Sequence, residues 1–166
     1  TLPAIYQIFR KFFNLPEKTK KKYEQKELGH QIGWTPLFQE EHIACRRLGK
    51  AGTNLGDFKE CFFMRMPELQ VGYQLTKEYP LYYPPGGNIW PKEVPELRQA
   101  MQTLYTSLKT VGWKIFPLLE SHLLKKNDGF FANMVAGAPS ALRAIYYPPM
   151  SAIERKEFVC QNCSGS

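Results

Sequence analysis

Two cysteines three positions apart, Cys160-Gln161-Asn162-Cys163, are the first side chains whose type and spacing suggest chemistry. Two thiolates at that separation can share one tetrahedral zinc ion, but a structural site needs four ligands. The other cysteines, Cys45 and Cys61, stand alone and far upstream, and His30, His42 and His122 form no pair at metal spacing. A thioredoxin-like redox role needs a strand and a helix around the pair, and neither pattern brackets it. The four cysteines read as reduced thiols, and no metal site is expected in this chain. Nucleophilic hydrolysis has as little support. Ser140 follows Pro139 and lies outside any Gly-x-Ser-x-Gly elbow, and no glycine pattern cradles phosphate. Glu40-Glu41, Glu154 with Glu157, and His122 read as solvated surface groups, so no catalytic residue is expected either.

Arg143 and Tyr147 make a more distinctive pattern. They lie in Ala141-Leu142-Arg143-Ala144-Ile145-Tyr146-Tyr147, a run that reads as a strand stopped by Pro148-Pro149. Successive side chains of a strand point to opposite faces, so Arg143, Ile145 and Tyr147 share one. A guanidinium and a phenol flanking an aliphatic chain can line a pocket for an anion.

The elements that must position this strand are mostly helical. Leu2, Ile5, Phe9 and Phe12 recur at helical spacing behind Thr1 and Pro3, which predicts a first helix of about three turns. Pro16-Glu17 restarts a short helix that carries Lys18, Lys20, Lys21 and Lys22, a cluster read as a solvated face. Residues 28–56 and 67–94 lack periodicity and read as long loops, the first containing Gly33-Trp34-Thr35-Pro36 as a turn or short extended piece. Between them, Phe58 to Met66 suits a buried strand ending at Pro67. Pro95 and Glu96 open the strongest helix, whose Leu97, Met101, Leu104, Leu108, Val111, Ile115, Leu119 and Leu123 hold one face, with a kink expected at Pro117. Asn127 or Asp128 is placed to cap a short helix through Met134, and Glu157 to Cys160 reads as a further strand.

Composition excludes several classes. A chain of 166 residues, 43% hydrophobic and 22% charged, suits one domain with a real core. Its net charge of +7 raises the question of nucleic acid. However, residues 1–26 carry seven Lys/Arg against two Glu, so most of the excess is local. The aromatic residues interleave with aliphatic ones at core spacing, away from the lysines, which speaks against base stacking. No apolar run approaches the roughly 20 residues that span a bilayer, and no cationic start precedes an apolar segment. The reading is a cytoplasmic monomer with neither a nucleic-acid nor a membrane partner.

Phe12-Phe13-Asn14-Leu15-Pro16-Glu17-Lys18-Thr19-Lys20 resembles the FF-x-LP-x-x-x-K signature of isopenicillin N synthase-like, 2-oxoglutarate and Fe(II)-dependent dioxygenases. Further pieces follow in that family's order. They are Gly33-Trp34-Thr35-Pro36, then Asp57-Phe58-Lys59-Glu60 leading into a strand, and Asn88-Ile89-Trp90-Pro91 before Val94-Pro95. The long helix and Leu142 to Pro149 complete the series, which runs from about Leu2 to Tyr147.

The resemblance implies an α+β fold: an N-terminal helical region over residues 1–135, then the opening strands of a double-stranded β-helix, or jelly roll, over 140–166. It implies Fe(II) and 2-oxoglutarate as cofactors of the intact parent, with dioxygen and a small organic molecule as substrates. Iron in such enzymes sits in a His-x-Asp…His triad that leaves positions open. Tyr147 then matches a tyrosine near the oxo-acid, and Arg143 belongs to the same strand, which makes these two the cofactor-binding residues. Ile145 stands where plant members commonly have asparagine. No His-x-Asp occurs in this chain, nor the Arg-x-Ser that grips the oxo-acid's far carboxylate. In relatives both lie beyond the position of Ser166, so the expectation is a fragment truncated before its metal site and inactive alone. A non-catalytic interaction module derived from the same fold is the alternative.

Overall fold

A computed structural model describes residues 1–39, 57–65, 87–136 and 140–151. Cys45, His42, Glu40-Glu41, Glu154, Glu157 and Cys160 to Cys163 lie outside these residues, as do the strand expected at Glu157 to Cys160 and most of both long loops.

The chain opens with α1, Leu2–Phe13, whose apolar spacing turns Phe9, Phe12 and Phe13 inward. Asn14 ends it, and Pro16 serves as the N-cap of α2, Glu17–Lys20. Two 3-10 turns follow, Lys21–Tyr23 and Lys26–Leu28, the second closed by Gly29 in the left-handed conformation.

Three short strands form one antiparallel sheet in the order β1-β2-β3: β1 is Gly33–Thr35, β2 Glu60–Arg65 and β3 Ala141–Tyr146. Phe62 pairs with Trp34 on one side and Ala144 on the other, and Met64 pairs with Leu142. These residues point to one face of the sheet and join Phe9, Phe12, Phe13, Val94, Leu97 and Met101 in the core. Phe12 meets Phe62 edge-on at 4.8 Å, and Phe13 stacks on Tyr146 at 5.1 Å. Gly33 is required where β1 begins. Its φ is +70°, and a Cβ there would collide with the Tyr23 carbonyl oxygen and lie 2.9 Å from Ile89 Cγ2.

The long helix α3 runs Glu96–Leu119 and continues past Pro117 into a π-helical turn at Glu120–Leu124. Its apolar stripe is only partly buried: Leu97, Ala100, Met101 and Tyr105 reach the core, but Leu108, Val111, Ile115, Leu119 and Leu123 are exposed. Spacing fixed the stripe but not its cover, because the second half of α3 runs past the edge of this core. The short helix α4, Phe130–Val135, has Gly129 at its N-cap. A buried carboxylate serves its first turn: Glu120 accepts the Gly129 N–H at 2.9 Å and the Phe131 N–H at 2.8 Å. Among the described residues no helix is long and apolar enough to cross a membrane.

Candidate functional site

β3 carries the two residues that the sequence singles out, and its placement is set from both ends. At its start, Ser140 Oγ and the Tyr105 hydroxyl share a hydrogen bond of 2.6 Å that ties the strand to α3. At its end, Tyr146 is held by the stacked ring of Phe13. Ala144 between them is buried against the core. Arg143 and Ile145, which alternate with these anchors, therefore emerge on the opposite face of the sheet.

On that outer face Arg143 pairs across the strands with Phe63, and its guanidinium lies 5.4 Å from the centre of that ring. Ile145 pairs with Cys61, and Tyr147 follows the last paired residue, Tyr146. Arg143, Ile145 and Tyr147 are all exposed, whereas Thr35, Cys61 and Phe63 beside them on β1 and β2 are buried. The alternation predicted from sequence is what the strand shows. Arg143 presents its cation over Phe63, and Tyr147 presents its phenol past the last paired residue at the other end of the strand.

The lysine cluster divides. Lys18, Lys21 and Lys22 are exposed, but Lys20 is 5% exposed and points inward. Its ammonium lies 2.6 Å from Glu60 Oε2 and donates to the Phe13 carbonyl at 3.1 Å. The Trp34 indole N–H donates to the same Oε2 at 2.7 Å. Reading all four lysines as solvated missed this, because composition does not say which side of a one-turn helix faces the protein. A signal was present in β2: Glu60, Phe62 and Met64 alternate, so Glu60 shares the core face and requires a partner.

Three further side chains brace the region, of which sequence reasoning named only Asn88, as part of the Asn88-Ile89-Trp90-Pro91 segment. Asn88 pairs with the Arg65 backbone like an added strand, accepting its N–H at 2.8 Å and donating to its carbonyl at 3.0 Å. Tyr23 donates to Glu93 Oε2 at 2.5 Å and accepts the Lys92 N–H at 3.0 Å. The phenol's hydrogen bond holds the Glu93 carboxyl below its ordinary value, and burial followed by that same carboxylate raises the Tyr23 phenol. His122 is exposed on the π-helical turn. A groove along α3 is lined by Gln99, Thr103, Thr106, Ser107 and Thr110. Its Thr106, Ser107 and Thr110 hydroxyls donate back to carbonyls four residues earlier, as exposed helix hydroxyls do. Among the described residues no three His, Cys, Asp or Glu side chains gather where a metal ion could be held.

A protein of Caulobacter crescentus, described in its crystal structure as a 2OG-Fe(II) oxygenase family protein, is similar to this chain at a TM-score of 0.68 and 28% identity. The similarity covers 92% of this chain and 45% of that one, so this chain spans under half the length of that protein. No curated protein matches the chain. The family described as the N-terminal region of the non-haem dioxygenase in morphine synthesis matches residues 1–93, which include α1, α2, β1 and β2. That match takes in more than half of the chain and every residue of the FF-x-LP-x-x-x-K segment, Lys20 included: the chain belongs to the N-terminal family of the isopenicillin N synthase-like non-haem dioxygenases.

Proposed function

We propose that this chain is the N-terminal and middle part of an oxygenase that uses non-haem iron, 2-oxoglutarate and dioxygen to oxidise a small organic substrate. The observation that carries the reading is the likeness to the Caulobacter protein, which extends over 92% of this chain and so includes the segment that bears β3. On this reading residues 1–135, which carry β1 and β2, form the α-rich flank, and 140–166, which carry β3, start the jelly-roll core. Arg143 and Tyr147 bind the oxo-acid. The guanidinium offers paired donors to a carboxylate, and the phenol a single donor or acceptor.

The residues present do not fit iron. The sequence contains no His-x-Asp, and the described residues hold no cluster of three ligands. The ligands belong, on this reading, to a part of the parent protein outside these 166 residues. Within this chain the work is to hold and orient: the core fixes β3, and β3 presents Arg143 and Tyr147.

The test is to express the full open reading frame of the gene and follow Fe(II)-dependent conversion of 2-oxoglutarate to succinate and carbon dioxide. Turnover is expected, with Arg143→Gln raising the KM for 2-oxoglutarate. A folded full-length product that consumes no 2-oxoglutarate with any iron loading overturns the reading.

A further inference from the structure

Along β2 and its flanks the residues that share the parity of the core face read Phe58, Glu60, Phe62, Met64, Met66. Glu60 is the one polar member of that row. Slid by two residues in either direction, a step of about 7 Å that keeps every side chain on its own face, the strand would still offer the core large apolar side chains. What such a step undoes is the place of Glu60. It is 7% exposed, meets the Lys20 ammonium at 2.6 Å and accepts the Trp34 indole N–H at 2.7 Å. A slipped β2 would set Phe58 or Phe62 in that place and leave the buried ammonium without its carboxylate. β3, by contrast, is held independently of β2, at Ser140 by Tyr105 and at Tyr146 by the Phe13 ring. Phe13 serves both strands, since its carbonyl accepts the Lys20 ammonium that holds Glu60. Replacing a buried ion pair by apolar side chains of similar volume is often neutral or stabilising, so stability is a poor account of these two charges and the choice of one register a better one.

We propose that the Lys20–Glu60 pair is a register lock: it sets β2 so that Phe63 lies opposite Arg143, which makes Lys20 and Glu60 positioning residues for Arg143. In the observed register the Arg143 guanidinium lies 5.4 Å from the centre of the Phe63 ring. A slip of two residues would set Arg143 opposite Cys61 or Arg65 instead. That Arg143 serves the oxo-acid rests on the oxygenase reading, whereas the lock does not.

The experiment separates register from stability in the chain itself. Lys20→Met/Glu60→Leu makes the row apolar throughout. Its urea midpoint should stay near that of the unaltered chain, while the NMR amide signals of Phe63 and Arg143 double or broaden and the ring-current shift of the Arg143 side chain shrinks. Glu60→Gln keeps an oxygen for Lys20 and for the Trp34 N–H, so it should lower the urea midpoint yet leave one set of signals with the shift intact. If the pair only stabilises, signal changes will instead follow the loss of stability from variant to variant, and that result overturns the proposal. So does a double variant that keeps one unshifted set of signals. A double variant that fails to fold also overturns it, because the charges would then be needed for stability. In the full-length product the double variant should raise the KM for 2-oxoglutarate roughly tenfold with kcat little changed. An unchanged KM beside doubled signals would uphold the lock and remove Arg143 from the oxo-acid site. Absence of 2-oxoglutarate turnover in the unaltered product overturns the oxygenase reading and leaves the lock to be decided by the signals.

Discussion

Lys20 and Glu60 meet at 2.6 Å inside the protein, with the ammonium 5.3 Å from the centre of the Trp34 ring and the Trp34 N–H on the same carboxylate oxygen. The pair fastens α2 to β2, and through the Phe13 carbonyl and Trp34 it reaches the end of α1 and β1 as well. A buried ion pair repays its desolvation only when its remaining polar atoms are also satisfied, and here Phe13 and Trp34 make three contacts to the two charges.

Removing one charge should be far worse than removing both. Lys20→Met strands a buried carboxylate and is expected to cost ~3–5 kcal/mol. The double variant Lys20→Met/Glu60→Leu should regain most of that loss. Urea unfolding followed by tryptophan emission measures both, with exposed Lys18→Met as the control. A single variant no weaker than that control refutes the pairing.

Gly33→Ala tests the close approach of the 3-10 turn to β1. The left-handed φ alone costs ~1–3 kcal/mol for a side chain, and the collision with the Tyr23 carbonyl adds to it. Gly29→Ala is the comparison. Its φ is also positive, but a Cβ there meets nothing within 4 Å, so it should lose clearly less.

Glu120→Gln exchanges one acceptor oxygen for a donor in a buried position that faces two backbone N–H groups. A loss of ~1–3 kcal/mol follows from leaving one of these unsatisfied. Amide exchange at Gly129 and Phe131 should accelerate together, ahead of any change in the sheet. Unchanged exchange at those two amides would show that α4 is held by something else.

Stability should fall at both extremes of pH through the Tyr23 and Glu93 pair. The folded Glu93 binds its proton less readily than the ordinary value of 4.5, so its contribution is present above that value and is lost as the pH falls through the lower, folded one. Tyr23 holds its proton beyond 10.0 while the unfolded phenol ionises, so stability also falls as the pH rises from there. Tyr23→Phe should flatten the alkaline arm and part of the acid arm of a plot of urea midpoint against pH. The acid arm persists in part because Lys11 holds Glu96 low and Lys126 holds Asp128 low.

Arg143→Ala should cost at least the ~0.5–1 kcal/mol of an exposed guanidinium over a ring, because the Phe63 ring is not its sole contact. Thermal unfolding of the chain checks this, and an unchanged midpoint would show that the ring contact contributes nothing.

Local pattern carried much of this architecture. The spacing of Phe9 and Phe12 gave α1, alternation placed Arg143 and Ile145 on one face of β3, and the run after Pro95 gave α3. What could not be read locally was the far side of each contact. Lys20 looks like its neighbours until Glu60, forty positions on, is brought beside it. Likewise Asn127 and Asp128 are good caps by type, but nothing local points to Glu120, whose carboxylate accepts two N–H groups at the start of α4. Leu108 and Leu97 are equal members of one stripe, and only the extent of the core separates them.

The register of β3 bears on how the chain is made. Glu60 pairs with Tyr146, and Phe13 stacks on that same tyrosine, so the middle strand has an open edge until synthesis has passed residue 146. Such distant pairing folds slowly, and an unpaired strand edge is prone to wrong partners in the meantime. During translation β2 must wait, with Glu60 and Lys20 already able to meet, for the strand that carries Arg143 to leave the ribosome.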